Sequence, residues 1–107
     1  MNPISNTVQQ CTTMAEVRQC VDAIDDLLVP LLVQRTAYMT QAARIKPHLN
    51  QVRDEARIQA IVDRVRQQAL DQGGEPSVIE ASYRNMIEAC IAYEHREFAR
   101  LREGELT

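Results

Sequence analysis

With 107 residues, the chain is long enough for one domain of ordinary size, and an apolar fraction of 45% indicates a globular protein. Aromatic residues make up only 4%, so the core must be built from Leu, Ile, Val, Ala and Met, a composition that favours helices. The net charge of −3 argues against nucleic acid as the main partner, and the lack of a long apolar run argues against a membrane span.

The first helix is predicted from about residue 14 to 46, after a flexible tail of residues 1–12. Thr13 and Glu16 have the spacing of a capping box at its start. Apolar residues then recur in steps of four and three, which places them on one helical face: Val17, Val21, Ile24, Leu28, Leu31, Tyr38, Ala42 and Ile45. The helix is expected to end before Pro47, because the residue before a proline avoids helical angles.

The length of this first helix bears on the assembly. Pro30 lies inside it, and because the apolar stripe keeps its phase across the proline, we expect a kink rather than a break. The helix is also much longer than the second one, so a single chain would leave part of the stripe in water. We therefore predict an intertwined homodimer in which the first helix packs along its symmetry mate.

Two more helices follow. The second is predicted from roughly Arg53 to Asp71, and Gly73–Gly74 should end it in a left-handed conformation. Its apolar face comprises Ile58, Ile61, Val62, Val65, Ala69 and Leu70. Residues 77–80 have the pattern of a second capping box, which should start the third helix. The predicted fold class is all-α, with three helices in one domain over residues 13–102 and a short tail over 103–107.

Charged residues on the apolar stripes are the signal for a site. Arg35 interrupts the stripe of the first helix and Glu94 that of the third, and a buried charge is costly unless it is paired or binds a ligand. Lys46 returns to nearly the same face as Arg35, and Arg57 lies at the edge of the second apolar face. Arg18 is too far along the same helix, but a partner's copy could reach the site. Four cations and one carboxylate around a buried space suit a small dianion.

Each of these residues also has a structural interpretation. A charge beside an apolar stripe is more often a snorkelling side chain or half of a salt bridge, and Arg35 with Glu94 could form such a pair. His48 and His95 lack metal-spaced partners and are predicted on the surface. We interpret the charge-rich end of the third helix as a solvated face, comprising Arg96, Glu97, Arg100, Arg102 and Glu103.

The cysteines do not indicate a redox or metal site. They are odd in number and show no CxxC spacing, which argues against a zinc site: Cys11, Cys20 and Cys90. We expect Cys20 and Cys90 to behave as small buried apolar residues. The N-terminus is polar rather than signal-like, so the expected compartment is the cytoplasm.

The ordered set of these residues resembles a known family, the all-helical chorismate mutases, together with the related isochorismate-pyruvate lyases. The resemblance covers about residues 13–101, and the opening from Cys11 to Arg18 is similar to the lyase branch. The matching segments are Val17-Arg18, Ile24-Asp25, Leu31 to Arg35, Ala42 to Lys46, Val52 to Asp54, Arg57, Ile91 and Glu94.

The resemblance implies a role for each matching residue. Arg35 would bind a substrate carboxylate, Arg57 another, and Arg18 would contribute from the partner subunit. Lys46 would bond the ether oxygen of the breaking bond, and Asp54 would lie among the substrate-binding residues. The implied reaction is the pericyclic rearrangement of chorismate to prephenate, which uses no metal, cofactor or covalent intermediate. Catalysis then means holding a compact conformer and stabilising charge on the ether oxygen.

Three positions depart from the common bacterial pattern. Glu94 stands where many mutases have glutamine, although fungal mutases of this fold also have glutamate. It must be protonated to donate a hydrogen bond, so activity should fall as pH rises through its ionisation. Ile58 replaces a glutamate that bonds the substrate hydroxyl, as in the lyase branch. Cys90 replaces a serine among the substrate-binding residues, with the loss of one hydrogen bond.

Four functions therefore stay open, with chorismate mutase favoured. The lyase, which gives salicylate and pyruvate, is supported by Ile58 and by the N-terminal segment, but opposed by Glu94, where that branch has glutamine. A mutase acting on an amino-substituted chorismate is a third candidate. The fourth is a non-catalytic helical dimer, since a fold alone does not prove an activity. With no second domain for an effector, we expect an unregulated enzyme.

Overall fold

The computed structural model describes residues 8–103, which form three α-helices. Helix α1 spans Met14–Ile45, α2 spans Glu55–Asp71 and α3 spans Pro76–Glu103, with a 3-10 turn at Leu49–Gln51. No strand occurs in this range, so the predicted all-α class is confirmed. No helix in the same range is long and apolar enough to cross a membrane. Both predicted tails fall partly outside the described residues.

Contacts divide the chain after Arg35 into two units, whose described parts are residues 8–35 and 36–103. In the first unit, the Thr13 hydroxyl accepts the Glu16 N–H at 3.2 Å, so the predicted cap is present. The Glu16 carboxylate accepts the hydroxyls of Thr12 and Thr13, which lowers its pKa. Helix α1 is continuous through Pro30, as the phase of the stripe predicted.

The apolar side chains of α1 in the first unit lie largely in solvent in the single chain. Their exposed fractions run from 37% to 63%. They are Met14, Val17, Val21, Ile24, Leu27, Leu28, Val29, Leu31 and Val33. The one buried residue of α1 is Ala43, which belongs to the second unit. The first part of this helix therefore contributes no buried core to the single chain.

The core of the second unit lies between α2 and α3. Five buried side chains form it, with three partly buried ones packed against them. They are Ile58, Ile61, Val62, Val65 and Ile87, and then Ile79, Tyr83 and Ile91. Each large apolar side chain removed from water contributes about 1.5–3 kcal/mol. Leu70 was predicted on this face but is exposed, and Ala69 alone is buried at that end of α2.

Helix α2 begins and ends with backbone caps. Asp54 is its N-cap, and its carboxylate accepts the Arg57 N–H at 3.0 Å, so α2 begins two residues after the predicted Arg53. At the other end Gly73 has φ 74°, and the Gly74 N–H donates to the Ala69 carbonyl at 2.7 Å. The predicted left-handed ending is therefore confirmed.

The predicted capping box at the start of α3 is wrong. Helix α3 already begins at Pro76, and the Glu75 carbonyl accepts the Ile79 N–H at 3.3 Å. Ser77 lies inside the first turn, where its hydroxyl donates to the Glu75 carboxylate. Glu80, the expected partner of Ser77, instead accepts bonds from Arg66 on α2 and Arg84 one turn further along α3. These two arginines lower its pKa.

Candidate active site

The second unit contains a buried ion pair between Lys46 and Glu94. Lys46 directly follows α1, and its N–H still donates to the Ala42 carbonyl at 3.0 Å. Its Nζ lies 2.7 Å from the Glu94 Oε2 and 3.5 Å from the Val52 carbonyl oxygen. The Glu94 side chain is 4% exposed and that of Lys46 is 30% exposed. The structure therefore brings together two of the predicted site residues.

This pair has a definite chemical capacity. A carboxylate as buried as Glu94 needs a counter-charge, and Lys46 supplies it. The ammonium remains partly in solvent, so it can also donate to a ligand beside Glu94. A protonated Glu94 would add a second donor next to the first. Two donors converging on one small region suit an oxygen on which negative charge develops.

A cleft of about 600 Å³ borders Lys46. It is lined by the end of α1, the 3-10 turn and the start of α2: Ile45, Lys46, Pro47, Asn50, Gln51, Arg53, Asp54 and Glu55. Lys46 and Asp54, two of the residues predicted to bind substrate, thus line one cleft. Asp54 also caps α2, and Arg57 is exposed one turn into that helix. The start of α2 therefore both caps the helix and lines the cleft.

Arg53 joins the start of α2 to α3. Its guanidinium donates to both oxygens of Glu88, at 3.0 and 2.8 Å, and to Glu55 at 2.7 Å. These bonds raise the pKa of Arg53 and lower that of Glu88. Sequence reasoning treated Arg53 only as part of a motif. Arg53 directly precedes the N-cap Asp54 and binds Glu88 of α3, so it has a structural role in joining the start of α2 to α3.

Comparison with known proteins identifies the family. Residues 17–95, most of the chain, match the family described as chorismate mutase type II. The chain belongs to that family. The resemblance to the all-helical chorismate mutases is thereby confirmed. No curated protein matches the sequence.

Two positions that depart from the chorismate mutase pattern lie in the interior. Ile58 is buried in the core cluster with Val62 and Ile87, so its side chain contributes to packing. Cys90 is buried on α3, one turn before Glu94, and forms no disulfide. Cys20 was predicted to be buried as well, but it is only half-buried. Its thiol lies 3.7 Å from the Gln9 side-chain oxygen.

The two arginines expected from the first helix lie in the first unit. Arg18 is exposed in the second turn of α1. Arg35 is half-buried and is the last residue of the first unit. Both belong to the region matched by the family. Their roles as carboxylate-binding residues stay predictions.

The interpretation of the α3 terminus as a solvated face is wrong for two residues. Glu97 is buried, and its carboxylate accepts the Thr40 hydroxyl at 2.7 Å and the Arg100 guanidinium at 2.7 Å. The bonds from Arg100 and Thr40 lower the pKa of Glu97 to about 2. Arg102 is half-buried and bonds main-chain carbonyls. The signal for Glu97 was its spacing of three from Glu94, which places both on one helical face.

Proposed function

We propose that this protein is a chorismate mutase that converts chorismate to prephenate. Membership of the chorismate mutase type II family supports the reaction class. The observation that carries the assignment is the Lys46 ammonium, 2.7 Å from the buried Glu94 carboxyl group and beside a cleft. The Lys46 ammonium borders this cleft and can therefore donate to an oxygen of a small substrate beside Glu94.

The reaction is a pericyclic rearrangement in which the ether C–O bond breaks as a C–C bond forms. Electrons move around a six-membered ring of atoms, and no proton, electron or leaving group is exchanged with the protein. In our proposal Lys46 donates to the ether oxygen as negative charge builds there, and protonated Glu94 donates beside it. Only interactions that strengthen in the transition state accelerate the step.

The remaining predicted residues would bind the substrate. We propose that Arg35 and Arg57 each bind a carboxylate, so that the dianion is held in its compact conformer. Asp54 and Cys90 complete the contacts from the same chain. Arg18 of a second chain would supply a further cation. These assignments rest on the family pattern and on residue type.

The protonation of Glu94 sets the expected pH dependence. In the free protein Lys46 donates to Glu94, whereas catalysis needs Glu94 itself as a donor. Activity should therefore fall as pH rises, because only the protonated form of Glu94 can donate. A Glu94→Gln variant carries a donor at every pH, so its profile should be flat where that of the wild type declines. A wild-type rate that is constant from pH 5 to 8 would contradict this role for Glu94.

Substrate choice is tested by direct incubation. Purified protein is incubated separately with chorismate, isochorismate and an amino-substituted chorismate, and products are separated by chromatography. We expect prephenate from chorismate. The Lys46→Ala variant should lose turnover, whereas the control Arg96→Ala, which removes an exposed cation of α3, should keep the wild-type rate. Salicylate and pyruvate from isochorismate would identify the lyase instead. No turnover of any substrate would favour a non-catalytic dimer.

The lyase is the second candidate because of Ile58. In this chain that side chain is buried in the core, so it offers no carboxylate to a substrate hydroxyl. The lyase branch also has an apolar residue at this position. Glu94 opposes the assignment, because that branch has glutamine there. An Ile58→Glu variant should therefore unfold more easily rather than gain mutase activity, since a buried unpaired carboxylate is costly.

We further propose that two chains form a homodimer along α1. The support is the apolar stripe of the first unit, which stays in solvent in the single chain. Mixing Arg18→Ala chains with Arg35→Ala chains should restore about a quarter of the wild-type activity, because half of the random dimers carry one intact site. Each variant alone should be inactive. A mixture that stays inactive, or a monomer in sedimentation analysis, would contradict the shared site.

A further inference from the structure

The end of α1 leaves one main-chain carbonyl without its usual donor. In an α-helix the carbonyl of residue 43 would accept the N–H of residue 47, four residues on. That residue is Pro47, which has no N–H. Ala43 is fully buried, so water cannot easily replace the missing donor. Buried carbonyls are nearly always hydrogen-bonded, and this one needs a donor from elsewhere in the fold.

Arg102 of α3 supplies that donor. Its Nη1 donates to the Ala43 carbonyl at 3.0 Å and its Nη2 to the Lys46 carbonyl at 2.6 Å. Nη1 also donates to the Phe98 carbonyl at 3.2 Å, and the guanidinium carbon lies 3.5 Å from the centre of the Phe98 ring. The guanidinium is planar and rigid, so its two nitrogens fix the spacing of the Ala43 and Lys46 carbonyls.

We infer that Arg102 is a positioning residue for Lys46, an inference that rests on the proposed mutase function. Lys46 is then fixed by α3 at both ends. Arg102 holds its main-chain carbonyl, and Glu94 binds its ammonium. A flexible lysine that could adopt many rotamers is thereby directed toward one position beside the cleft. The rate of the chemical step depends closely on where the Lys46 ammonium lies relative to the substrate. Loss of the Arg102 bonds should therefore lower the rate of that step more than it weakens substrate binding.

The kinetic test compares Arg102→Ala with the control Arg96→Ala. Arg96 is an exposed arginine of the same helix whose guanidinium lies 5.6 Å from the centre of the Tyr93 ring. We expect Arg102→Ala to lower kcat between about 10- and 100-fold while KM changes less than about twofold. Arg96→Ala should leave both unchanged. Assays are run well below the unfolding midpoint of each variant. A folded Arg102→Ala protein with wild-type kcat would overturn the inference.

Pro47→Ala separates positioning from simple helix capping. The alanine restores an N–H four residues after Ala43, so the carbonyl regains a donor in the helix. The Pro47→Ala/Arg102→Ala double variant should therefore be more stable than Arg102→Ala, yet keep the low kcat, measured against Pro47→Ala alone. Recovery of kcat together with stability would show that Arg102 only caps the helix. If Arg102→Ala alone unfolds, the comparison of the double variant with Pro47→Ala still tests the inference in a folded protein.

A readout without substrate separates this inference from the proposed function. The carboxyl carbon of Glu94 is observed by NMR in protein labelled at glutamate, with Lys46→Ala as the reference for a broken pair. We expect Arg102→Ala to move this resonance toward that reference and Arg96→Ala to leave it in place. An unchanged resonance would overturn the positioning role. If the wild type converts no chorismate, the proposed function fails while this measurement still decides the role of Arg102.

Discussion

Removal of Lys46 tests how much the buried ion pair contributes to the fold. The Lys46→Ala variant leaves the Glu94 carboxylate without its 2.7 Å partner. Breaking a fully buried pair costs about 3–5 kcal/mol, whereas an exposed pair contributes about 0.2–1 kcal/mol. Glu94 is almost fully buried but Lys46 is partly exposed, so the cost should lie between these limits. We expect the free energy of unfolding to fall by about 2–3 kcal/mol.

The measurement is urea unfolding at neutral pH, followed by circular dichroism, for Lys46→Ala, Glu94→Gln and the double variant. The double variant should be more stable than Lys46→Ala, because a neutral amide is cheaper to bury than an unpaired carboxylate. Arg53→Ala is the matched control, since its partner Glu88 is 56% exposed, and it should cost less than about 1 kcal/mol per ion pair lost. A Lys46→Ala cost no greater than that of the control would refute the reasoning.

Three further predictions concern acid stability and the two ends of α2. The pKa of Glu97 is held at about 2, below its ordinary value, so its ionised form stabilises the fold above pH 4.5 and this contribution is lost as pH falls toward 2. The stability difference between wild type and Glu97→Gln, measured by urea unfolding, should shrink over that range; a constant difference would contradict it. Gly73→Ala should destabilise by about 1 kcal/mol because the residue has φ 74°, a cost that thermal unfolding would detect, and an unchanged midpoint would contradict this. Asp54→Asn should retain the cap and the stability but lose activity, whereas Asp54→Ala should lose about 1 kcal/mol as well; equal stability of the two variants would argue against capping.

The helices were predictable because their signals are local. Periodic apolar residues and the break at Pro47 define α1, and the Gly73–Gly74 ending closes α2. The start of α3 was not predicted correctly, because Pro76 is its first residue, a position that proline favours. Ser77 therefore lies inside the helix and binds Glu75. The pairing of Glu80 with Arg66 on α2 is a tertiary contact, which sequence spacing does not contain.

The same limit applies to the charged residues. Glu94 was predicted to be buried because it interrupts an apolar stripe, and this is confirmed. Its partner Lys46 was expected only as a nearby cation, since the rotation of two helices decides which cation meets which carboxylate. Arg102 was assigned to solvent because it follows several exposed charges. Its actual partners are main-chain carbonyls, and a pattern of side chains does not indicate which carbonyls lack donors.

Helix α3 holds the two other segments of the second unit by different forces. Against α2 it presents apolar residues, whose burial is insensitive to pH. Against residues 36–46 it presents a series of polar groups: Glu94 binds Lys46, Glu97 binds Thr40, and Arg102 binds the Ala43 and Lys46 carbonyls. Polar contacts depend on distance and angle far more than apolar ones do. The segment that carries the proposed catalytic lysine is thus fixed by directional bonds, whereas the core needs only tight packing.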